Sequence, residues 1–303
     1  MGAYGLGNYN EGASAAGTTP ITEANSWQFD NFGEYLIASA YSDGKIYYWD
    51  LNVANNLVVT HAEAPTSCKG VVVTPERFVV GLGGTDFNGV SAADGRRVTW
   101  SDQEDYEEWD PGAAGSQAGS FLLPGAGQIM CARRNRTETL IFTDVDTFAM
   151  RYIGGSLVYN FAQVGANCGI ISRRAVATVD GRAYWMGRRG FFVYDGFAQP
   201  IECEISDAIF SDINTVQLSK VAAWANNAYN EIWFSYPSAG SSECNRIVVY
   251  NYKENHWSGP WTSLVRTDGI DRSIYGNPVA ADSEGGVYFH EKGSVYLDED
   301  GLT

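Results

Sequence analysis

The densest group of chemically capable side chains is Asp102–Asp110 (DQEDYEEWD), six carboxylates in nine residues with no base among them. Such a run offers the oxygen ligands that a hard cation such as Ca²⁺ takes. It lacks the alternating acids and the glycine of a calcium loop, so a solvated acidic loop or a partner-facing patch stands beside the metal reading. Asp144 and Asp146 lie two apart in an extended segment and share a face. Glycoside hydrolysis needs two acids across a cleft; acids that end a strand and open a turn are the simpler account. His61, His256 and His290 stand alone. No Gly-x-Ser-x-Gly, His-Glu-x-x-His or phosphate-loop pattern occurs, and Gly81–Gly84 (GLGG) has no helical pattern after it. The five cysteines, Cys68, Cys131, Cys168, Cys203 and Cys244, lie far apart without a Cys-x-x-Cys pair, which favours reduced, buried thiols. The residues predict no enzyme, no cofactor and no metal.

Charge is the more informative signal. The chain carries a net −16, which argues against general nucleic-acid binding because phosphate affinity comes from Lys and Arg. Nine of its 20 basic residues fall between Arg133 and Arg189, and all nine are arginine: 133, 134, 136, 151, 173, 174, 182, 188 and 189. Against four acids they give that segment +5, while eleven bases and 32 acids leave the remainder at −21. Arginine without lysine suits bidentate pairing at protein interfaces. A basic face docking on the acidic face of an identical neighbour is a heterologous contact, and such contacts can close into rings. Arg133, Arg134, Arg136, Arg173, Arg174, Arg188 and Arg189 are therefore candidate interface residues, with Glu107 and Glu108 on the acidic side. Pairing of the same arginines within their own subunit is the equal alternative.

The elements that must carry these residues are strands. Ala175–Gly196 (AVATVDGRAYWMGRRGFFVYDG) holds three short apolar runs separated by Asp180-Gly181 and Gly187–Gly190, the pattern of a β-meander. The same phrasing recurs along the chain. Strand-ending Asp or Asn falls at Asp50, Asp102, Asp144, Asp195, Asn251 and Asp298, a loose repeat of roughly 40–50 residues that reads as propeller blades. The predicted fold is all-β, an irregular β-propeller of about six antiparallel meanders over 27–303, preceded by a Gly-rich N-terminal arm over 1–26. A pair of β-sandwiches is the alternative. Strands are expected at 77–80 and 294–297, and one short helix, capped by Ser206, at 206–219. Trp49, Trp100, Trp185 and Tyr194 are expected to be buried between sheets. No window is long and apolar enough for a membrane-spanning helix.

VTPERFVVGLG (73–83), TWSDQEDYEEWDP (99–111), LIFTDVDTFAMRYIG (140–154), NCGII (167–171), AYWMGRRGFFVYDG (183–196) and NYKENHWS (251–258) occur together and in order. In these motifs the chain resembles the tail-nozzle, tail-tubular or packaged-DNA-stabilisation proteins of short-tailed bacteriophages, over about 27–282. The resemblance implies β-propeller modules, a homo-oligomeric ring (typically a hexamer) and contact with other tail and adaptor proteins. It also implies a conduit through which viral DNA passes without specific binding, a place in the virion tail after assembly in the host cytoplasm, and no catalytic residue. An acidic lining suits that role, because like charge lets a polyanion pass without sticking. The alternative is a receptor- or glycan-binding tail module in which Trp109, Trp257 and Trp261 stack on sugars.

Overall fold

The computed structural model describes residues 26–52, 54, 58–59, 63–262, 264–271 and 276–292. The arm expected over 1–26, apart from Ser26, and the strand expected over 294–297 lie outside them. The protein is an irregular β-propeller built from six small antiparallel sheets. The first pairs β1 (Trp27–Phe32), β2 (Tyr35–Ala40), β3 (Ile46–Trp49) and β4 (Val58–Val59) in chain order. β5 (Gly70–Val73), β6 (Val79–Leu82), β7 (Arg97–Trp100) and β8 (Gly119–Leu122) form the second. The third holds β9 (Ile129–Arg134), β10 (Thr139–Thr143), β11 (Thr147–Gly154) and β12 (Val158–Gly165). The fourth holds β13 (Val176–Val179), β14 (Arg182–Met186), β15 (Phe191–Tyr194) and β16 (Ala198–Ile201). After α1 (Ser206–Asp212) come β17 (Ala222–Asn226), β18 (Glu231–Tyr236), β19 (Arg246–Asn251) and β20 (His256–Trp261). Among the described residues the last sheet has three strands, β21 (Asp268–Ile270), β22 (Val279–Ala281) and β23 (Val287–Phe289).

The chain divides into two compact units, Met1–Arg173 with Phe192–Pro200, and Arg174–Phe191 with Ile201–Thr303. In the first unit β1 lies beside β5 and β5 beside β9. The run Gly-Val-Val-Val of β5 explains this position. Val71 and Val73 join Phe32, Ile37, Ile46, Val79 and Trp109 in one core cluster, while Val72 joins Phe78, Val80, Val98, Trp100, Ile129 and Ile141 in another. A strand buried on both faces needs a continuous apolar run rather than an alternating one. Polar side chains then tie the three neighbouring strands together. The Val71 N–H donates to Gln28 Oε1 at 3.2 Å and the Val73 N–H to Asp30 Oδ2 at 2.8 Å. Asp30 Oδ1 accepts from Arg134 Nη2 at 2.7 Å, so one carboxylate joins β1, β5 and β9. In the second unit β13 lies beside β17 and β17 beside β21. Its core includes Ala222, Trp224, Ile247 and Val249, with Trp233 and Leu264 packed against them.

The turn chemistry follows the sequence. Asp180 (φ 51°) and Gly181 (φ 80°) both take the left-handed backbone of a tight two-residue hairpin turn. Trp100, Trp185 and Tyr194 are buried, whereas Trp49 is only half-buried and donates its indole N–H to Asn52 O. Three expectations shift. The helix ends at Asp212 because Ile213 turns extended (ψ 135°), and Ser206 is its first residue, with Ile205 at the cap position. The strand expected at 77–80 begins at Val79, because Arg77 adopts φ 66° and its N–H closes a turn on Thr74 O. Asp144 follows the second strand of its sheet, whereas Asp50, Asp195 and Asn251 close third strands. The third strand of that sheet runs instead into Gly154-Gly155, both at positive φ, which accounts for the uneven repeat.

Candidate assembly surface

The arginine-rich segment divides into residues absorbed by the fold and residues left outside it. Arg133 donates to Ala132 O at 3.0 Å and to Arg173 O at 3.3 Å, and Arg134 pairs with Asp30. Arg173 donates to Met130 O at 2.8 Å and Lys69 O at 3.3 Å and lies over the Tyr41 ring at 3.9 Å, so it clasps the start of β5 and β9. Arg174 pairs with Asp268 at 3.0 Å within the second unit. Arg151 pairs at 2.6 Å with Glu138, a buried carboxylate that also accepts from the Tyr194 hydroxyl. Burial, and then that carboxylate, push the Tyr194 phenol up to about 12. Arg136, Arg188 and Arg189 are different. All three are exposed, and among the described residues none has a hydrogen-bond or ion-pair partner. Arg188 and Arg189 ride on the β14–β15 turn, which the Gly187 N–H closes by donating to Gly190 O.

The acidic run is a folded loop between β7 and β8. Trp109 is completely buried in the first core cluster and donates its indole N–H to Tyr106 O at 2.9 Å. Asp102 Oδ1 accepts from the N–H groups of Gln103 and Gln117, and Asp105 Oδ1 from those of Glu107 and Glu108. Glu108 caps Asp110 N, Asp110 caps Gly112 N, and Glu104 pairs with Arg77. The carboxylates thus satisfy backbone donors that the loop would otherwise leave open. Glu107 projects into solvent and Glu108 is half-buried. Among the described residues no group of three or more His, Cys, Asp and Glu is placed to hold a metal ion.

Asp144 and Asp146 serve turns, accepting from the N–H groups of Gln128 at 2.7 Å and Asn167 at 3.0 Å. The second unit holds a carboxylate pair that sequence spacing does not show. Asn226 Nδ2 donates to Glu291 Oε1 at 3.0 Å and Glu231 Oε2 at 3.4 Å, and the Trp233 indole N–H donates to the same Glu231 oxygen at 2.8 Å. Burial, and then the nearby Glu291 charge, hold the Glu231 carboxyl above its usual range despite those donors. His290 stacks edge-on against Trp233 and accepts from Arg266 Nε at 3.1 Å; burial and that guanidinium lower its pKa. All five cysteines are free thiols, four of them buried, and burial pushes Cys68 up to about 12.

The aromatic residues expected to stack on sugars are mostly structural. Trp109 is buried, and Trp257 is buried against Phe191 with its ring centroid 4.4 Å away; Trp261 alone of the three is exposed. Two exposed apolar features had no clear sequence signal. One is the Trp27–Phe29 stack on β1; the other is Ile153 and Leu157 at the β11–β12 turn. Alternation along β1 and the Gly154-Gly155 pair are the only hints of them in the chain.

No family model and no curated protein sequence matches the chain. Solved propeller structures do. The dihydro-heme d1 dehydrogenase NirN aligns with a TM-score of 0.55 at 12% identity, over 88% of this chain and 53% of that one. A 6-phosphogluconolactonase-like protein of Bacteroides uniformis aligns with a TM-score of 0.53 at 11% identity, over 88% of this chain and 80% of that one. At such identities the likeness is one of fold: this chain is similar to β-propeller proteins.

Proposed function

We propose that the protein is a structural virion component of a short-tailed bacteriophage, part of the tail nozzle or head–tail junction, and that it assembles as a homo-oligomeric ring around the DNA path. It has no enzymatic role in this reading. Its partners are copies of itself and the neighbouring tail and adaptor proteins, and it retains packaged DNA until ejection without gripping it. The observation that supports the reading best is the exposed Arg188–Arg189 pair on a closed turn of a chain that otherwise carries excess acid. Glu107, exposed on a loop pinned by buried Trp109, is the matching feature of opposite sign. Fixed charges of both signs on one chain suit a heterologous contact between copies. The motif resemblance supplies the biological setting.

Electron micrographs of the purified chain test the assembly. Rings are expected in low salt and fewer in high salt, because exposed ion pairs are screened beyond about 10 Å at 0.1 M. Charge reversal at Arg188 and Arg189 should reduce them, and reversal of Glu107 and Glu108 in the same chain should restore them. A gel shift of duplex DNA in about 50 mM salt, lost on the arginine reversal, would replace the conduit with a DNA clamp.

A further inference from the structure

We infer that the β11–β12 hairpin tip of one copy docks on the open face of the first sheet of the next copy, an apolar contact that adds to the arginine pairing. The inference rests on the ring reading above and names a surface within it.

The tip is built to hold apolar side chains in water. β11 and β12 pair from Phe148↔Gln163 to Tyr152↔Tyr159, then slip at Gly154↔Val158. Gly154 and Gly155 take φ of 68° and 65°, and Val158 is held at φ 56°, ψ −62°. A β-branched residue there is strained by about 1–3 kcal/mol, and such strain collects at working surfaces. Ile153 (54% exposed) and Leu157 (70%) project from this turn. The β9–β10 turn rises at the same end of the sheet, because Thr139 pairs with both Arg134 and Met150. It carries Arg136, exposed and without an ion-pair partner among the described residues.

The receiving face has complementary chemistry. Trp27 and Phe29 project from one side of β1 with rings 5.9 Å apart and 7° from parallel, and Tyr47 of β3 lies 5.8 Å from Trp27. The β2 partners of Phe29 and Trp27 are the small residues Ala38 and Ala40. Phe29 remains 62% exposed. The opposite side of β1 is the one already engaged, through Gln28 and Asp30, with β5. At the end of this face the β1–β2 turn presents Glu34, exposed and without an ion-pair partner among the described residues.

The spacings match as well as the chemistry. Two strand separations put the Arg136 turn roughly 10 Å from the hairpin tip, and three residues of strand put the Glu34 turn roughly 10 Å from Phe29. When Leu157 and Ile153 lie on the Phe29 ring, Arg136 reaches Glu34. Because tip and face are different patches, the contact is heterologous and propagates from copy to copy.

Sedimentation of the full chain tests this at about 50 µM in low and in 0.5 M salt. Leu157→Asp with Ile153→Asp, and separately Phe29→Asp, should each lower the association constant at least tenfold with unchanged melting temperatures, whereas Val216→Asp, exposed in the other unit, should not. Mixing Leu157→Cys with Phe29→Cys chains under mild oxidation should give a mixed disulfide dimer that neither variant gives alone. Assembly unchanged by all tip and face variants would overturn this contact and leave the ring reading standing. A parent chain that stays monomeric in both salts would overturn both.

Discussion

Removing the Asp30 carboxylate should loosen the first unit at a point where three strands depend on it. Asp30→Ala deletes the acceptor of the Val73 N–H, and Val73 is 2% exposed, so that donor is left buried without a partner. An orphaned buried donor costs about 1–3 kcal/mol. The Arg134 pair goes too, but the Arg134 side chain is 45% exposed, so its loss adds at most about 0.5–1 kcal/mol. The total is about 1–4 kcal/mol. For a unit of this size that corresponds to a melting temperature lower by roughly 2–16 °C. Asp30→Asn keeps an acceptor for Val73 and should cost only about 1 kcal/mol, and Arg134→Ala about the same. Thermal and urea unfolding followed by tryptophan fluorescence would measure all three. If Asp30→Ala melts within a degree of the parent, or Asp30→Asn is as damaging as Asp30→Ala, the carboxylate does not join the strands as argued.

Trp185 is fully buried, so Trp185→Ala should destabilise by about 3–5 kcal/mol in the same assay. Burial raises the Glu231 pKa, so its charged form opposes folding at neutral pH. Glu231→Gln should therefore stabilise the protein at pH 7–8, and urea titrations should show the advantage shrinking as pH falls through the raised value and vanishing near the ordinary 4.5. A thiol reagent applied to the native protein should label Cys203, the half-exposed cysteine, well before the four buried ones, with all five reacting once urea unfolds the chain.

Much of the architecture was legible in the sequence because inner strands are buried on both faces and so must read as apolar runs. Val71–Val73 and Leu140–Thr143 announced themselves this way, and Asp180-Gly181 marked its turn through the backbone it tolerates. The fourth strands did not. β8 (GSFL), β16 (AQPI) and β20 (HWSGPW) lie on sheet edges, where one side of the ladder is open and Gly, Pro and polar residues are tolerated, so no periodic signal survives. Charge excess likewise marked the arginine segment as a block, since composition is all that a sequence shows of an electric field. Only the tertiary structure separated Arg134 and Arg173, spent on neighbouring strands, from Arg136, Arg188 and Arg189, which stay in water. It also decided that Trp109 anchors a loop while Phe29 faces solvent, because burial depends on which segments distant in the chain pack over a residue.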